Sequence, residues 1–367
     1  MKLFQFELKK MMLNKRFIFL IAFIILFLSA LFIRNDIYQV TIEQEREKYI
    51  LSNIQVAQEN MNQLLNNPTD EMTQEQAVQM EEIVNTLNEL RNVFNTSDWQ
   101  QELKIENKFL MQLQAYKAGG GEFSSLNDDQ INKTLALNTQ HLATNIEPQH
   151  SNYSKAIPNF MKQTVDILIN FGVIAVILII VGDTLTTEFK QRSIQFLYTQ
   201  PLKKSTIIHS KFWSGFVIYT IVMICSLLVA WCIPLFFGEK GTFSYPVLIE
   251  QDGSFSFMPI KEYLIFSLIS VSVIILFVLA FCLIVSLLFK KTFVSLFIII
   301  VVLVGGYTIC NQLSVSNIEW FNPFQYVLTN ETITAIGYNW NKGIGITLTL
   351  AFLCYLLALW RIRFVRI

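Results

Sequence analysis

Histidine and cysteine are scarce in this chain, and neither clusters. The three histidines (His141, His150, His209) are far apart in sequence, which argues against a metal centre. The five cysteines (Cys225, Cys232, Cys282, Cys310, Cys354) all fall in apolar runs. They read as small packing residues, and the long polar segment, where a disulfide would be expected, has none. There is no Gly-x-x-x-x-Gly-Lys-Ser/Thr loop, no His-Glu-x-x-His and no Ser-His-Asp or Cys-His signature. The sequence therefore offers no catalytic residue, no metal ligand set and no cofactor site of its own. Charge is also thin: 15% of the 367 residues are charged against 53% hydrophobic, with 31 phenylalanines. That balance excludes an ordinary soluble domain and points to a chain that crosses a membrane several times.

Six apolar runs are long enough to span a bilayer as helices: 17–33, 165–182, 212–237, 263–289, 293–310 and 343–360. The first follows a basic, amphipathic start (1–16) in which Phe4, Leu8, Met11 and Met12 share a helical face, as in a helix lying at the membrane interface. It is long for a signal peptide, and Ile33-Arg34-Asn35-Asp36 is a poor cleavage site, so it reads as an uncleaved span. The formal net charge of zero hides a separation. With both termini inside, the cytoplasmic segments hold 15 Lys and Arg against 3 acids, and the remainder holds 13 against 25. This is the positive-inside asymmetry. It accounts for the basic residues without nucleic acid. The expected fold is thus an all-α, six-span integral protein of the cytoplasmic membrane, with both termini in the cytoplasm.

Residues 34–162 differ in character, being rich in Gln, Asn and Glu. Ile50, Ile54, Ala57, Met61 and Leu64 recur at heptad-like steps, as do Ala77, Met80, Val84, Leu87 and Phe94. The intervening Asn-Asn-Pro-Thr-Asp turn makes these an antiparallel helical hairpin. A further helix runs from near Ser97 to Gly119-Gly120-Gly121, and a weaker one from near Asp128 to Thr144. The segment is expected to be a helical extracytoplasmic insertion after the first span. It reads equally as a spacer or as a domain that gates or receives a substrate. Asp166 and Asn170, at the outer end of the second span, either line a substrate path or sit in water as end residues.

The stretch from Gly182 to Phe212 is too polar for a bilayer yet patterned like a structured element. Thr184 and Thr187 are candidate N-caps, Leu185, Phe189, Phe196 and Leu197 fall roughly on one helical face, Pro201 stops that helix, and Ser205 can cap the next. Its order of Glu188, Arg192-Ser193-Ile194, Leu197-Tyr198, Pro201, Lys204 and Lys211 resembles the cytoplasmic coupling loop of type-2 ABC transporter permeases. Arg192 and Ser193 stand where that family carries Gly and Thr. Asn322-Pro323-Phe324, within 311–341, resembles the family's outer re-entrant segment before its last span.

The resemblance implies a permease subunit of an ATP-driven exporter of amphipathic substrates (an antimicrobial peptide, a toxin, a lipid-like molecule or a drug). ATP and Mg would be bound by a separate ATP-binding ABC subunit, since no cytoplasmic segment here is long enough for such a domain. A second permease chain, the same or similar, would complete the path. By the same resemblance the loop 183–211 couples to the ATPase: Glu188 and Arg192 as polar contacts, Leu185, Phe189, Phe196 and Leu197 as apolar anchors, and Pro201 as the helix stop. Asp166, Asn170, Asn322, Pro323 and Phe324 are the candidates for the substrate path. Two other classes remain. A sensor or receptor would use the helical insertion to capture ligand, and a gradient-driven transporter would show repeats and mid-span charges that are not seen here.

Overall fold

The structure, a computed structural model, describes residues 2–66, 71–94, 96, 98–150, 152–168, 172–180, 182, 184–190, 203–251, 254–312 and 340–364. Of the residues singled out above, Ser97, Asn170, Arg192, Ser193, Ile194, Phe196, Leu197, Tyr198, Pro201, Asn322, Pro323 and Phe324 lie outside this set.

The chain opens with α1 (Lys2–Met12) and then α2 (Lys15–Asn66), one helix of 52 residues. At 1.5 Å per residue α2 is about 78 Å long, more than twice the ~30 Å hydrocarbon core of a bilayer. The helix therefore continues past the first apolar run, which ends at Ile33. A polar Arg-Asn-Asp triplet does not interrupt backbone hydrogen bonding, and here it anchors the helix sideways instead. Asn35 is fully buried and donates from Nδ2 to the Ser154 carbonyl (3.0 Å) and to Gln163 Oε1 (2.8 Å).

Three helices are stacked in sequence on the far half of α2: α3 (Glu71–Phe94) packs on α2, α4 (Trp99–Ala118) on α3, and α5 (Asp128–Thr144) on α4. The heptad reading holds, with Ile50, Ile54 and Ala57 of α2 buried against Met80, Val84 and Leu87 of α3. Asp98 caps α4, and Asn127 with Gln130 forms a capping box on α5. Phe109 and Leu110 of α4 complete a core separate from that of the other helices.

The second core is built by α6 (Ile157–Ile167), α7 (Val173–Ile180), α8 (Thr184–Lys190), α9 (Lys204–Phe237), α10 (Ile260–Phe289), α11 (Thr292–Gln312) and α12 (Trp340–Phe364), with the start of α2. Among the described residues five helices are long and apolar enough to cross a membrane: α2, α9, α10, α11 and α12. α10 is the most buried of them and packs along α12. The other helices turn large side chains outward, among them Phe19, Phe23, Phe236 and Phe293, as lipid-facing surfaces do. The remaining expected span, 165–182, corresponds to the end of α6 together with α7.

The all-α expectation is corrected between α9 and α10, where β1 (Pro246–Gln251) pairs antiparallel with β2 (Ser254–Pro259). Val247 and Ile249 bury one face of the hairpin. The register pairs Gln251 with Ser254, leaving two residues between the strands, and the sequence there is Asp-Gly, the strongest short hairpin signal. Two caps are corrected as well. Thr187 lies inside α8. α9 starts at Lys204 with Lys203 in the N-cap position, which places Ser205 in the first turn.

Candidate coupling site

The polar stretch after α7 begins with a tight turn. A Cβ on Gly182 would stand 2.5 Å from the Leu178 carbonyl oxygen and 2.6 Å from Leu296 Cδ2, so only glycine lets the chain leave α7 here. α8 follows at once and packs against α10. Thr186 of α8 is fully buried and accepts a hydrogen bond from Thr292 Oγ1 at 2.9 Å, at the start of α11. Lys290, at the left-handed C-cap of α10, places its ammonium 5.6 Å from the Phe189 ring.

Glu188 is turned inward. Its side chain is 5% exposed, and Oε1 accepts from Lys211 Nζ at 2.7 Å and from Lys10 Nζ at 3.1 Å. Lys211, two turns into α9, has no exposed side-chain surface and also donates to Glu7 Oε1 at 3.1 Å. Glu7 and Met11, one turn apart, form the buried stripe of α1 against α9. The apolar face expected for α1 is corrected accordingly: Met12 is exposed, and a carboxylate occupies the centre of the packed face.

Two ammonium groups and two carboxylates thus join three elements, α1, α8 and α9, that are distant in sequence. The formal charges balance, which is the condition for charges to be tolerated away from water. The balance of hydrogen bonds is incomplete. Glu7 Oε2 and Glu188 Oε2 are buried and have no hydrogen-bond partner among the described residues.

Asp166 lies near the other end of α9, where Ile157 at the start of α6 donates to the Glu239 carbonyl (3.0 Å) just after α9 ends. It is paired with Lys162 (2.8 Å), and Tyr263 Oη donates to its Oδ1 (2.5 Å). The carboxylate therefore links α6 to α10. The structure brings Glu188 and Phe189 together at one end of the bundle and leaves Asp166 at the other. Leu185 is in α8 by its backbone. Sequence reading picked out Glu188 and Lys211 but not their contact, and it passed over Glu7 and Lys10. The signal was available for Glu7, an acidic residue in the middle of an otherwise apolar and basic helix.

A family model described as ABC-2 family transporter protein matches residues 1–364. The chain belongs to that family. Neither the curated proteins nor the solved structures gave a match. The match extends across residues 34–162 as well. Membrane proteins of the ABC-2 family are transport subunits that work with ATP-binding subunits and are generally not catalytic themselves.

Proposed function

We propose that this ABC-2 protein is the permease subunit of an ATP-driven exporter of amphipathic molecules in the cytoplasmic membrane. It has six spans, cytoplasmic termini and an extracytoplasmic domain formed by 34–162. ATP and Mg belong to a separate ATP-binding chain, and a second permease chain completes the path. The carrying observation is the buried tie of Glu188, Lys211 and Glu7. A force applied to the segment 183–211 reaches α9 and α1 directly through these contacts, because neither partner of a dry ion pair can move away alone without a large cost.

In this reading Leu185, Phe189, Phe196 and Leu197 anchor the loop in the ATPase, with Arg192 as its polar contact and Pro201 ending the docked helix. Glu188 is the internal link and not a surface contact. ATP-driven closure of the two ATPases moves α8, and the tie passes that motion to the spans. The under-satisfied carboxylates give the tie a second arrangement to adopt. Asp166, Asn170 and the Asn322-Pro323-Phe324 group belong to the outer half of the path.

The test is the variant Phe196→Ala with Leu197→Ala in the assembled complex. Loss of two apolar anchors is expected to weaken docking by at least about tenfold and to remove substrate-stimulated ATPase activity, with membrane insertion unchanged. Normal transport by that variant would remove the loop from the coupling role.

A further inference from the structure

A cleft of about 870 Å³ opens where the helical insertion meets the rest of the chain, between α2, the start of α4, the return segment 147–155 and the residue that follows α9 by two, Glu239. Its volume is at the upper end of the range for small-molecule sites, roughly 300–1,000 Å³. The charges on its wall are unevenly used. Arg46 is bound to Glu102 (2.6 Å) and Glu106 (3.4 Å), and Lys155 is bound to Asp36 (3.0 Å). Burial holds His150 below its ordinary pKa, against the pull of Glu45. Four carboxylates, Glu43, Glu47, Glu147 and Glu239, face the same cleft with no ion pair or side-chain hydrogen bond among the described residues.

Acids alone would make only a solvated surface. This wall also carries Phe94 and Trp99, half-buried rings with no aromatic partner among the described residues. Tyr153 differs from them, being stacked on Tyr38 at 4.8 Å with the Arg34 guanidinium 4.9 Å from its ring centre. A half-open cleft with unpaired carboxylates and half-buried aromatic rings on its wall matches a cation that carries apolar groups.

We infer that this cleft binds a cationic amphipathic ligand, a basic peptide segment bearing aromatic or aliphatic side chains. Its cationic groups pair with Glu43, Glu47 and Glu147, and its apolar groups pack on Trp99 and Phe94. The binding site stands without the transport reading. That the bound molecule is the exported cargo rests on it.

The test uses the purified full chain in nanodiscs of uncharged phosphatidylcholine, without ATPase or nucleotide. The probe is a fluorescein-labelled short peptide alternating lysine and tryptophan, and the control alternates glutamate and tryptophan. Fluorescence anisotropy is expected to show saturable binding of the lysine peptide, weakened by salt. Binding is expected to weaken by about tenfold in Glu43→Gln/Glu47→Gln/Glu147→Gln and by a similar factor in Trp99→Ala. The three glutamates are exposed and unpaired, so the triple variant keeps its helices, which circular dichroism checks. The glutamate peptide is expected not to bind. Equal affinity of wild type and triple variant, or equal binding of the two peptides, would overturn the inference, since the binding would then be to the apolar spans. Either result leaves the exporter reading intact, and a failure of ATP-driven transport would leave the binding result intact.

Discussion

Replacing Lys211 with Met is expected to cost about 3–5 kcal/mol of stability, the range for removing one partner of a buried ion pair. The side chains of Lys211, Glu7 and Glu188 are 0%, 2% and 5% exposed, so no water replaces the lost ammonium. Two carboxylates are left behind, and only Glu188 keeps a cation, Lys10. The midpoint of thermal unfolding of the purified chain should fall sharply, and substrate-stimulated ATPase activity of the complex should be lost with it. Adding Glu7→Gln and Glu188→Gln to Lys211→Met is expected to restore most of the stability, because the stranded charges go with the cation. Activity should not return, since the neutral set has no tie to transmit motion. Lys10→Ala provides the contrast: its side chain is 48% exposed, and the change should cost no more than about 1 kcal/mol. A Lys211→Met chain as stable as wild type would show that the cluster holds nothing together.

In the helical insertion, Arg46→Ala is expected to loosen α4 and α5 in a way that depends on pH. Glu106 is buried, and burial already raises its pKa above the ordinary 4.5 against the attraction of Arg46 and a hydrogen bond from Asn138 Nδ2 (2.9 Å). Without Arg46 that opposition is reduced to the amide. Arg46 is itself 37% exposed, so water screens part of the loss, and we expect about 2–3 kcal/mol at neutral pH.

The sign follows from linkage. A carboxyl whose folded pKa is raised binds its proton more tightly in the native state, so stability declines as pH rises from 4.5 through the folded value and is flat above it. The defect in Arg46→Ala should therefore be greatest at neutral pH and fade on acidification. Glu106→Gln in the same background should abolish the pH dependence. Hydrogen exchange of the α4 amides reads this locally. A defect unchanged from neutral to acid pH would contradict the assignment to Glu106.

Much of the architecture could be read in advance where one local signal governed it. The heptad steps of α2 and α3, the Gly119 stop of α4 and the start of α5 near Asp128 needed only neighbouring residues. The hairpin after α9 is also locally written, in an Asp-Gly pair between two short apolar runs. The continuity of α2 through the polar Arg34-Asn35-Asp36 has no local signal. Only its partners, Ser154 and Gln163, give Asn35 a buried role.

The candidate coupling site shows the limit most clearly. Glu188 and Lys211 stand 23 positions apart and could be noticed as a pattern, but Glu7 joins Lys211 across 204 positions. Sequence spacing carries no trace of such a contact. It places Glu188, expected at the surface, in a buried ion pair.

The central claim is that this ABC-2 chain works through a separate ATPase that engages the segment 183–211. The most direct test is gentle purification of the tagged chain from its native membranes, followed by mass spectrometry of the co-purifying proteins. The account predicts a stoichiometric ATP-binding subunit with ATPase activity in the preparation, lost when Phe196 and Leu197 are changed. A chain that purifies alone, with no ATPase activity, would contradict it.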